Sequence, residues 1–221
     1  MSKINKLIGG IVISCCTLLS TNLFASTLDF FCIEGNSINC SIGQTQISVD
    51  VVSTGNSNEA LFNVYNTGTS ASSIEGVYFD DGTLLEIASL IEPTGVDFTA
   101  GSAKPKELPG ANSITPNFET TVGFLTDANA PGPKNGINPG ESLGILFNLK
   151  PNNYFTDVFS QLSSGELRVG LHVQAFDESG SISLVNNPLI PVPLPPAFLL
   201  LLSALLVFKP LIGKSETKNG G

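Results

Sequence analysis

Oxygen-rich turns are the first places in this chain where chemistry could reside. Asp80-Asp81-Gly82 and Asp127-Ala128-Asn129 each gather side-chain oxygens within three positions. Calcium asks for several oxygen ligands and little else, which makes Asp80, Asp81, Asp127 and Asn129 candidate calcium ligands. Neither run has the spacing of an EF-hand loop, and Asp-Gly is also an ordinary turn, so the turn reading ranks first. Covalent or acid-base catalysis has less to draw on. The chain has one histidine, His172, and no Gly-x-Ser-x-Gly elbow or phosphate-binding loop. Glycoside hydrolysis needs only two carboxyl groups at the right separation, but 18 Asp and Glu between residues 26 and 190 make almost any pair imaginable. No catalytic or cofactor-binding residue is assigned, the expectation is a protein that is not an enzyme, and calcium is the one cofactor kept open.

Cysteine offers a structural chemistry instead. Cys32 and Cys40 stand eight positions apart around Gly35 and two asparagines, a spacing that closes a small loop in an oxidising compartment. Such a bridge stabilises by roughly 2–3 kcal/mol on loop-closure reasoning. No third cysteine or nearby histidine completes a zinc set.

The elements that must position these residues follow from hydropathy. Thr45–Val52 alternates polar and apolar side chains, as do Ala60, Phe62 and Val64, then Ile74–Phe79 with a partner at Leu84–Ile87 across an Asp-Gly hairpin turn. Phe118–Leu125, Leu143–Leu149 and Ser181–Val185 read as further strands. In Leu167–Phe176 the alternation is clearest and places Arg168, His172 and Gln174 together on a sheet surface. Prolines and glycines punctuate 93–117 too densely for a long helix or a central strand, which marks an exposed loop, read as a covering strap ahead of a binding surface because no aromatic or cationic groups cluster there. A second such loop spans 127–141. One helix is expected, over Asn153–Leu162 with Ser163–Gly165 ending it. Many short strands of period two and one short helix predict an all-β fold, a β-sandwich, over residues 26–190.

Both ends of the chain differ from this body. Lys3 and Lys6 precede an apolar run from Leu7, and Leu23-Phe24-Ala25 exits it, which reads as a signal peptide over 1–25 cleaved after Ala25. A retained N-terminal anchor and a lipoprotein signal at Cys15 are the alternatives. At the other end, 191–221 carries the proline collar Val192, Pro193, Leu194, Pro195 and Pro196. Behind it, about 197–213 is apolar except for Lys209, a length slightly short of a full span, and is expected to form a hydrophobic transmembrane helix.

Charge narrows the partners. Only Lys104, Lys106, Lys134, Lys150 and Arg168 oppose the 18 carboxylates of 26–190, a formal charge of −13. That excess disfavours nucleic acid, which is recognised through a cationic face.

The tail resembles the PEP-CTERM sorting signal of exosortase-processed proteins in its VPLPA-CTERM variant. Val192–Pro196 matches the proline motif, Ala197–Phe208 and its continuation the hydrophobic segment, and Lys209, Lys214 and Lys218 the basic end. The match departs in a second proline before Ala197 and in a sparse basic end without an arginine cluster. The body is similar to secreted proteins with such tails at Ile74–Asp81, Asn138–Gly144 and Arg168–Gln174. The resemblance implies a Gram-negative bacterium that makes exopolysaccharide, an exosortase and a secretion translocon as partners, and association with the inner membrane until processing. It then implies a place at the cell surface, outer membrane or extracellular matrix of a biofilm. The leading expectation is a non-catalytic structural role there. A carbohydrate-binding module, with calcium as an optional stabiliser and Tyr65, Tyr78 and Tyr154 in place of tryptophan, is the alternative. A carboxylate-dependent glycoside hydrolase ranks last.

Overall fold

The computed structural model describes residues 25–81, 83–100, 107–126, 134–177 and 179–188. Eleven strands run in chain order: β1 Ala25–Leu28, β2 Phe30–Glu34, β3 Ile47–Val52, β4 Glu59–Asn66, β5 Ser73–Asp81, β6 Leu85–Ile91, β7 Phe98–Ala100, β8 Val122–Thr126, β9 Ser142–Leu149, β10 Leu167–Gln174 and β11 Ile182–Asn186. Two α-helices join them, α1 Ser37–Gln46 and α2 Phe155–Ser164. The strands form two open antiparallel sheets, one ordered β1-β3-β4-β9-β6 and the other β2-β11-β10-β5-β8-β7.

The inner faces of the sheets share one core. Alternation delivers Val49 and Val51 from β3, Ala60, Phe62 and Val64 from β4, and Leu167, Val169, Leu171 and Val173 from β10, all buried. Phe62 and Phe147 of the five-stranded sheet meet Phe79 of the six-stranded one edge to face, at centroid distances of 5.3 and 4.8 Å. Such pairs add to the burial energy of each ring by about 0.5–1.5 kcal/mol.

This architecture corrects the all-β expectation with one helix: the fold is mixed α/β, with two helices and two open sheets. Each helix carries the chain from one sheet to the other, α1 from β2 to β3 and α2 from β9 to β10. The unforeseen α1 occupies the loop expected between the cysteines and takes Thr45 and Gln46 from the strand expected there. Asn36 caps it, its side-chain oxygen accepting from the Asn39 amide at 2.9 Å. Gly43 lets it approach β11 so closely that an added Cβ would lie 2.4 Å from Ile182 Cδ1. Helix α2 buries Phe155, Val158 and Leu162, and Asp157 accepts from the Tyr154 amide at 2.7 Å before Gly165 ends the helix with φ of 78°.

A second correction concerns the membrane. No helix among the described residues is long and apolar enough to cross one, so the expected transmembrane helix is not part of the described structure. The segment assigned to it, 197–213, the collar Val192–Pro196 and the leader up to residue 24 lie outside the described residues.

The β5–β6 connection also differs from the hairpin expected of Asp-Gly. The strands belong to different sheets, and buried Asp81 turns the chain between them by accepting from the Leu84 and Leu85 amides at 2.9 and 2.7 Å.

Candidate functional site

The outer face of the six-stranded sheet gathers most of the chain's unusual polar chemistry. Antiparallel register sets Asp80 opposite Arg168, Tyr78 opposite Gly170, and Gly76 opposite His172. Side chains directly opposite share a face, so one row runs along the sheet.

At one end of the row Arg168 clasps a strap formed by residues 107–121. Its guanidinium donates to the Asp80 carboxylate and to the carbonyl oxygens of Asn117 and, at 2.8 Å, Pro116. The same group lies over the Phe118 ring, 5.4 Å from the centroid. Asp80 also accepts from the Glu119 amide at 3.1 Å. A planar fork of five donors suits this task, which the point charge of a lysine would not perform. Beneath the strap Tyr78, Leu108, Phe118 and Val185 form a second buried apolar cluster, and Phe31, Ile33 and Ile114 pack against it. Gly170 makes room for it: a Cβ there would lie 2.7 Å from Leu108 Cδ2 and 3.0 Å from Phe118 Cζ. Burial pushes the Tyr78 phenol up to about 12.

On its solvent side the strap carries an open cleft of about 630 Å³. One wall is Glu107, Ala111 and Asn112, and the other runs from Asn117 to Thr121. Two bonds tie the walls together: the Leu108 amide donates to Thr120 Oγ1 and the Thr120 amide to Glu107 Oε2, each at 3.2 Å. The Phe118 amide adds a third by donating to the Ala111 carbonyl at 3.0 Å.

Farther along the row His172 Nδ1 lies 3.4 Å from Ser183 Oγ, and its Nε2 3.0 Å from Gln174 Nε2. Burial holds the imidazole below its usual pKa, opposed by the charge of Glu34 and by a backbone hydrogen bond at Ile182. A hydroxyl beside an imidazole can serve nucleophilic catalysis, but Ser183 is 1% exposed and no substrate reaches it here. Glu75, at the irregularity between β5 and β10, has its carboxyl pushed up by burial, and its Oε1 has no hydrogen-bond partner among the described residues.

The sequence-derived candidates are dispersed by this geometry. Consecutive strand residues point to opposite faces, so Asp80 turns outward to Arg168 while Asp81 turns inward to two amides, and the pair does not converge on one ion. Asp127 and Asn129 lie outside the described residues. Among the described residues no group of three or more His, Cys, Asp or Glu is placed to hold a metal ion. Cys32 and Cys40 are joined by a disulfide that ties α1 to β2. Gln174 sits beside His172, whereas Arg168 is drawn to Asp80. The tyrosines form no common platform, since Tyr65 and Tyr78 belong to different sheets and Tyr78 is buried. The sequence offers 93–117 as a binding surface only behind a strap, and it singles out neither the Arg168 clasp nor the cleft residues. Arg168 as the one arginine of the body was the available signal, because a lone guanidinium among carboxylates acquires a carboxylate partner. No family model, curated protein or solved structure matches the chain.

Proposed function

We propose that the chain is an exported, non-catalytic surface or extracellular-matrix protein of an exopolysaccharide-producing Gram-negative bacterium, delivered by a secretion translocon and sorted at its tail by an exosortase. The Cys32–Cys40 disulfide is the observation that carries this reading, because a bridge that fixes a helix to a strand persists in an oxidising compartment and is rare in a reducing one. The charge of the whole chain, −9, adds solubility outside the cell. Inside the body, the carboxylates of Asp80 and Asp81 and the imidazole of His172 hold the strap, a chain crossing and a strand pair. These are structural duties.

Deleting 192–221 tests the sorting. The truncated chain is expected to leave the surface fraction and to lack the processed C-terminus found by mass spectrometry of the intact protein. An unchanged distribution and an unchanged mature mass would count against exosortase sorting.

A further inference from the structure

We infer that the cleft on the strap is a binding site for a neutral, hydroxyl-rich glycan chain. Its volume of about 630 Å³ falls within the roughly 300–1,000 Å³ of small-ligand clefts. The lining supplies what vicinal hydroxyls need. The Asn112 and Asn117 side-chain amides and the Glu119 carboxylate are exposed and make no hydrogen bond to the rest of the described protein. Glu107 keeps one carboxylate oxygen beyond the one that accepts from Thr120. Amides offer both donors and acceptors and carboxylates offer acceptors, so a sugar hydroxyl finds both halves of its bonding.

Charge selects within that class. Among the described residues no lysine or arginine lines the cleft, and Arg168 is committed beneath it to Asp80 and two carbonyls. A uronate or phosphate would meet the carboxylates of Glu107 and Glu119, with no counter-ion among the described lining residues, so anionic polymers are disfavoured. An apolar peptide is also a poor fit, since the Phe118 ring is buried and offers no exposed platform.

Preorganisation distinguishes the cleft from an ordinary loop surface. Three hydrogen bonds join its walls, and the Arg168 clasp holds the wall carrying Asn117 and Glu119 to the sheet. Less ordering entropy is then lost on binding. Arg168 acts as a positioning residue, while Asn112, Asn117 and Glu119 touch the ligand.

The test is calorimetric titration of the full chain, purified in a zwitterionic detergent that carries no sugar, with cellohexaose, laminarihexaose and a hexameric polygalacturonate. At least one neutral hexasaccharide is expected to bind, and the acidic one not to. The double variant Asn112→Ala/Asn117→Ala should weaken that binding about tenfold or more, with an unchanged thermal midpoint, because both amides are exposed. Arg168→Lys should weaken binding while leaving the lining residues intact. Heat from the polygalacturonate alone, absence of binding by all three, or equal affinity in the double variant would overturn the assignment. None of these outcomes bears on export or sorting, which fractionation reads independently.

Discussion

Tyr78 and Phe79 are neighbours in one strand, and they are buried by different means. Phe79 points into the space between the sheets, where Phe62 and Phe147 meet it edge to face. Tyr78 points the other way, under Leu108 and Phe118 of the strap. The inner face is covered by regular strands whose side chains arrive every second residue. The outer face is covered by an irregular segment that one arginine holds in place. The first kind of burial is distributed over many strands, whereas the second concentrates on Arg168, Gly170 and a few strap residues. Damage to the core should therefore weaken the whole molecule, and damage to the clasp should loosen one face.

The largest expected effect lies in the core. Phe147→Ala should cost about 3–5 kcal/mol by chemical denaturation, the range for emptying a buried aromatic site. A loss below about 1 kcal/mol would mean that the sheets do not meet there. Arg168→Met comes next, at about 3 kcal/mol, because it leaves the largely buried Asp80 without its partner. Its signature is faster hydrogen exchange across 107–121 with the β3 and β4 amides still protected, and uniform exchange would erase the contrast between the faces. Gly170→Ala should cost about 1–3 kcal/mol, since the new methyl meets Leu108 and Phe118. A neutral result would show that the strap yields freely.

Titration gives the smallest and most local effects. The Tyr78 phenol has its folded pKa raised from 10.0 to about 12, so it holds its proton in the folded state after the unfolded chain has lost it. Stability should fall as pH rises from about 10 to 12, and Tyr78→Phe should remove that slope in pH-dependent melts. His172 has the opposite sense. Its folded pKa lies below 6.5, so stability should decline as pH falls from 6.5 through the lowered value, and His172→Gln should flatten this limb. If wild type and variant share the same acid limb, His172 is not buried as described.

What the sequence made legible follows the same division. Alternation in Ile47–Val51, Phe62–Val64 and Leu167–Val173 identified strands and inward residues, because period two is a local property. The heptad-like spacing of Phe155, Val158 and Leu162 did the same for α2. Helix α1 was missed because Ser37, Asn39, Gly43 and Thr45 have low intrinsic helix propensity. It is stabilised by contacts that the sequence does not display, namely Gly43 against Ile182 and the Cys32 bridge. Asp80-Asp81-Gly82 looked like a hairpin because turn chemistry does not reveal whether the next strand joins the same sheet. The candidate calcium oxygens of Asp80 and Asp81 likewise could not be sorted by face until the strand was placed. The density of Pro and Gly marked the strap, but nothing local announces that Arg168, about fifty positions away, holds Pro116 and Asn117. Proline and glycine record what a segment cannot be, whereas the clasp depends on a long-range partner.

Export is tested most directly by intact-mass spectrometry of the protein recovered from the producing cell's surface or matrix. The predicted result is a chain beginning at Ser26, shortened at its C-terminus, and lighter than its reduced form by the hydrogens of one disulfide. A chain recovered from the cytoplasm, starting at Met1, ending at Gly221 and carrying free thiols at Cys32 and Cys40, would contradict it.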